Sequence, residues 1–87
     1  MLLQQEAESM KREGEADVNP ALGVTVTWTI QSVEVRPREG NEVEPWAGTI
    51  RFLIESETPD LDGTARERFE RSYDYAFILE SETWVMR

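Results

Sequence analysis

The chain has 87 residues, neither cysteine nor histidine, and a formal charge of −9 from 18 acidic against 9 basic side chains. A domain of this size buries little more than about 60% of its unfolded surface. Without thiols or imidazoles it can form no disulfide, no ordinary zinc site and no Ser-His or Cys-His nucleophile. A nucleic-acid partner is not expected, because Arg36, Arg38, Arg51, Arg66, Arg68, Arg71 and Arg87 are interleaved with Glu34, Glu39, Glu55, Glu67 and Glu70 instead of forming a basic patch.

The start, Met1-Leu2-Leu3-Gln4-Gln5-Glu6, lacks the basic and apolar regions of a signal peptide, and no apolar run approaches the roughly 20 residues of a membrane-spanning helix. A cytoplasmic location, with no membrane partner, is the resulting expectation. From Leu2 to Glu13 the residues are good helix formers, and Gly14 is placed to close the helix just past its end. Leu3, Ala7 and Met10 form its narrow apolar stripe, while Glu8 and Arg12 are spaced for an i,i+4 ion pair. A frayed tail is the competing reading, since isolated helices this short are marginal in water. Asp17, Asn19, Pro20 and Gly23 are turn formers. Residues 1–20 therefore read as a helical segment and linker, and 21–87 as a sheet domain.

In the first strand Val24, Val26, Trp28 and Ile30 alternate with Thr25, Thr27, Thr29 and Gln31, a period of two. The apolar phase then moves to Val33 and Val35. A one-residue slip would turn both valines to the wrong face, so a β-bulge or bend is expected near Gln31-Ser32. Pro37 to Pro45 is a charged connection too long for a tight hairpin. In the second strand Trp46, Ile50, Phe52 and Ile54 share a face, with Gly48 a weak point between them. Thr58 to Gly63 is turn chemistry. In the third element Phe69, Tyr73, Tyr75, Phe77 and Leu79 share a phase and strand wins, although Ala65 to Arg71 could instead be a helical turn, which leaves its start open. Glu80 to Thr83 turns the chain into a last strand through Trp84, Val85 and Met86. A strand running to Arg87 suggests a piece of something longer.

The pattern predicts an α+β fold: an N-terminal helix with a curved four-stranded antiparallel meander. One face gathers Trp28, Trp46, Phe52, Tyr73, Tyr75 and Trp84 with the aliphatic residues between them. Aromatic side chains present about 150–250 Å² each, and monomers seldom expose contiguous apolar patches above about 300–600 Å². The helix stripe is too small to cover this face alone. Either the sheet curls over the helix and closes its own core, or a second copy or another protein supplies the rest. The polar face carries Thr25, Thr27, Thr29, Glu70, Arg51 and Asp74, the last two spaced for a cross-strand pair.

Carboxylates are the remaining route to acid–base chemistry, with Glu55, Asp74 and Glu80 as candidates. Alternation puts Asp74 and Glu80 on the polar face, where burial would not raise a pKa, so no catalytic residue is assigned. Asp60-Leu61-Asp62-Gly63 is similar to the front of a calcium loop, but Phe69 then stands where a bidentate Glu is needed, and a turn explains the same residues. No metal and no cofactor are expected. The six aromatics Trp28, Trp46, Phe52, Tyr73, Tyr75 and Trp84 are the candidate binding residues, either as core, as a protein-binding face or as the lining of a small-ligand pocket.

The run Tyr73-Asp74-Tyr75-Ala76-Phe77-Ile78-Leu79, an acidic turn, and Trp84-Val85-Met86 resemble the terminal hairpin of cystatin-like and nuclear-transport-factor-like α+β domains. The resemblance implies a curved sheet wrapped on a helix, frequently dimeric, used as a ligand pocket or as a binding scaffold. It carries over no catalytic residue, and such a fold leaves function open. The expected role is a non-catalytic protein-binding or assembly domain using an apolar sheet face or edge. The alternative is a small-ligand pocket protein or minor enzyme.

Overall fold

The computed structural model describes residues 2–18 and 20–87, and Asn19, counted above as a turn former, lies outside them. One helix, α1 (Leu3–Ala16), and a short 3-10 turn at Pro20–Leu22 precede four strands: β1 (Thr25–Pro37), β2 (Trp46–Asp60), β3 (Gly63–Ile78) and β4 (Thr83–Met86). The strands form one open antiparallel sheet in the order β1-β2-β3-β4, the expected meander.

Leu2 cannot cap the helix through its own side chain, and Gln5 Oε1 instead accepts a hydrogen bond from the Leu2 backbone N–H at 3.3 Å. The expected stripe is the packed one: Leu3 and Ala7 are buried, and Met10 packs against the same cluster. Two local expectations are corrected. Gly14 does not end the helix, which continues to Ala16, and the i,i+4 ion pair that forms is Lys11 with Glu15 at 2.7 Å in place of Glu8 with Arg12. Gly14 lies inside the helix because the Trp28 indole rests against its Cα, where any Cβ would overlap the ring. A helical glycine costs about 1 kcal/mol relative to alanine; here it permits close approach of helix and sheet.

Gln31 is the unpaired residue of a bulge in β1: Ile30 faces Phe52 and Ser32 faces Arg51. The bulge restores Val33 to the helix side, opposite Ile50, and Val35 opposite Gly48. β3 is continuous strand from Gly63, so the helical start considered for Ala65 to Arg71 is not adopted; Asp60 pairs with Gly63 around a tight turn, and cross-strand pairing carries the segment into β3. The strand ends at Ile78, which leaves Leu79 exposed in the following turn.

Leu3, Ala7, Ile50, Phe52, Ile54 and Tyr75 make the core cluster, with Met10, Val26, Trp28, Ile30, Val33, Tyr73 and Trp84 packed around it. α1 crosses the sheet diagonally. Its Leu3 end sits over Gly48 beside Trp84, Met10 reaches Tyr75, and the Gly14 end meets Trp28 of β1. A helix of 14 residues spans about 21 Å, whereas the 15 residues of β2 span about 50 Å. The molecule accordingly measures 57 × 19 × 16 Å, with a radius of gyration of 16.6 Å where a compact chain of this length would have about 12 Å. The sheet stays open, and the far half of the β2–β3 hairpin extends beyond the helix.

Candidate binding surface

The six candidate aromatics fall into two groups. Phe52 is fully buried and touches Trp28 edge-to-face at 5.0 Å and Tyr73 at 6.1 Å between ring centroids. Tyr75 is buried beneath the helix. Its hydroxyl donates to Met10 Sδ at 3.0 Å and approaches Glu6 Oε1 at 3.5 Å. Burial, reinforced by the negative charge of Glu6 and its hydrogen bond, pushes the Tyr75 phenol up to about 12. These four residues build the interior.

Trp46 and Trp84 form the second group, at the opposite end of the sheet from the β2–β3 turn. Register aligns Trp46 with Phe77 and Phe77 with Trp84, a row of aromatics across β2, β3 and β4. Phe77 and Trp84 meet edge-to-face with centroids 5.3 Å apart. Leu2, Leu3, Val35, Trp46, Phe77 and Trp84 line an open apolar hollow of about 330 Å³. Trp46 remains 43% exposed, and Leu79, Val85 and Met86 are exposed at the same end. Sequence reasoning did not single out Leu2, Leu3, Val35 or Phe77 for this surface. The bulge that returns Val35 to this face was a usable signal, but the seating of the helix N-terminus over Gly48 had none.

Polar contacts hold the β1–β2 loop at this end of the sheet. Arg38 Nη1 bonds Glu44 Oε2 at 2.7 Å, Arg87 pairs with the same carboxylate, and Asn41 Oδ1 accepts the backbone N–H of Val43 and of Glu44 at 3.2 and 2.8 Å. The Leu79 N–H donates to the Val43 carbonyl, tying the β1–β2 loop to the β3–β4 turn.

On the polar face the expected Arg51–Asp74 pair does not form, because register sets Arg51 opposite Ser72 and Asp74 opposite Thr49. The buried Thr49 hydroxyl accepts from Arg36 Nη1 at 3.1 Å and donates to Asp74 Oδ1 at 3.0 Å, linking three strands. Glu55, Asp74 and Glu80, the carboxylates considered for acid–base chemistry, are all exposed. Among the described residues no three acidic side chains converge as a metal site. No family model, curated protein or solved structure matches the chain.

Proposed function

We infer that this chain is a non-catalytic assembly domain that presents uncovered sheet surface to another protein chain, a second copy included. The observation that carries this reading is the mismatch between a helix of about 21 Å and strands of about 50 Å, which leaves the outer edge of β3 from Arg66 to Ser72, with Phe69 41% exposed upon it, without cover among the described residues. Light scattering over a concentration series at moderate salt tests it, since the charge of −9 opposes association at low ionic strength. A mass that rises with concentration supports assembly; a constant monomer mass overturns self-assembly.

The apolar hollow between Trp46 and Trp84 favours a second reading, a pocket for a small apolar ligand. Titration with an apolar fluorescent probe tests it: saturable binding that Trp46→Ala weakens supports the pocket, and non-saturable binding indifferent to that change rejects it.

A further inference from the structure

We propose that two copies of this chain join edge to edge through β3, antiparallel about a two-fold axis at Phe69, to make one continuous sheet. The proposal rests on the assembly reading above and names its partner and its register. β4 covers β3 only from Tyr75 to Ile78, and the Asp74 carbonyl is taken by the Arg87 N–H on that same side. Backbone groups alternate in direction along an antiparallel strand. Those of Arg66, Arg68, Glu70 and Ser72 therefore share the direction of Asp74 and point away from β2 along the free edge.

The backbone of the free edge of β1 is interrupted and that of β3 is not. The Trp28 N–H is already taken by Glu15 Oε2 of the helix at 3.2 Å, the bulge at Gln31 interrupts the middle of the strand, and Pro37 ends it. Arg66 to Ser72 is pure strand, without bulge or proline.

The charges on this segment select a second copy of the chain. Glu67-Arg68-Phe69-Glu70-Arg71 changes sign by reflection about Phe69. In an antiparallel pair centred there, Arg68 faces the partner's Glu70 and Glu67 faces the partner's Arg71, and symmetry repeats both pairs. Shifting the centre to Arg68 or to Glu70 would place two like charges directly opposite one another. The chosen register also satisfies the hydrogen bonding: Arg68 with the partner's Glu70, and Arg66 with the partner's Ser72, become hydrogen-bonded pairs. Phe69 meets the partner's Phe69 in a non-hydrogen-bonded pair, where side chains come closest. Phe69 is 41% exposed on the helix side of the sheet, contacted by Arg71 at 5.3 Å. The segment holds three of the nine basic residues, Arg66, Arg68 and Arg71, so its local charge is near neutral in a strongly acidic chain.

Pairing is confined to Arg66–Ser72, because β4 and Arg87 occupy the edge beyond, so the pairing requires each hairpin tip, from Thr64 outward, to bend away from the partner's β4. So short an interface belongs at the weak end of specific contacts, with a dissociation constant of roughly micromolar or above.

The test uses the whole chain, whose lack of native cysteine leaves no background. Phe69→Cys should give a disulfide-linked dimer on mild oxidation, and Glu70→Cys should not, because only position 69 faces itself at about 4.5 Å between Cα atoms. Amide exchange should slow with concentration at Arg66, Arg68, Glu70 and Ser72. Arg68→Glu should raise the dissociation constant about tenfold, and Arg68→Glu combined with Glu70→Arg should restore it. A dimer that cross-links through position 70 and not 69, or leaves those four amides unprotected, overturns this register while assembly stands. A monomer at concentrations up to about 1 mM overturns both this register and self-assembly.

Discussion

β2 and β3 run through two unlike environments. Between Trp46 and Ile54 the helix side of β2 carries Gly48, Ile50, Phe52 and Ile54, all buried, and the paired part of β3 buries Tyr75. From Glu57 to Asp60 and from Gly63 to Ser72 every residue is exposed, although the ladder between the strands is unbroken. One half is thus held by packing against α1. The other is held by backbone hydrogen bonds and surface contacts such as Arg66 with Glu57 at 3.2 Å, each worth under about 1 kcal/mol. Strand pairing can persist where a core has ended, but its stability is borrowed from the packed half.

The sharpest way to break this comparison is to truncate a phenylalanine in each half. Phe52→Ala should lower unfolding free energy by about 3–5 kcal/mol, a large part of the stability of so small a domain. Phe69→Ala should cost the monomer only about 0.5 kcal/mol. Urea denaturation under dilute conditions measures both, and equal losses would mean that the hairpin tip has a core of its own.

Gly14→Ala sharpens the account of the packed half. Helix propensity alone predicts a gain of about 1 kcal/mol. The indole of Trp28 occupies the place of the new methyl group, so a loss of about 1–3 kcal/mol is expected, with a change in tryptophan fluorescence. A gain would show that the helix does not rest on Trp28.

A smaller effect should be visible in alkali. The Tyr75 pKa is raised in the folded state, from the usual 10 to about 12, so folding favours the protonated phenol. Its contribution is complete below pH 10 and is lost as pH rises from 10 through 12. Stability followed by denaturant titration should decline in that window, and Tyr75→Phe should remove this part of the decline at a cost of about 1 kcal/mol under neutral conditions. Smallest of all should be the difference in amide exchange under dilute conditions: the amides of Glu67, Phe69 and Arg71, bonded to β2, exchange through local opening of the tip at lower free energy than those of Ile50 and Phe52.

Much of the architecture is legible in local pattern. The alternation of Val26, Trp28 and Ile30 announces β1, and the phase change at Val33 announces the bulge, because side-chain direction has a strict period of two. The helix stripe of Leu3, Ala7 and Met10 is less plain, because it is narrow and a frayed tail fits the same residues. Less legible was the destination of the six aromatics, since period-two alternation assigns a face and says nothing of what covers it. Trp46 and Phe52 share a phase on one strand, yet Phe52 is fully buried and Trp46 is 43% exposed.

The sequence by itself determined the class of fold, the order of its elements and the face each side chain takes, because these follow from periodicities within single segments. Only the tertiary structure decided where α1 lies on the sheet, and with it which aromatics became core. That placement depends on contacts between residues far apart in the chain: Gly14 with Trp28, Leu3 with Gly48, Met10 with Tyr75. Gly14 read locally is a helix terminator. It is instead the point where helix meets sheet, because a missing side chain has no direction until its neighbour is known.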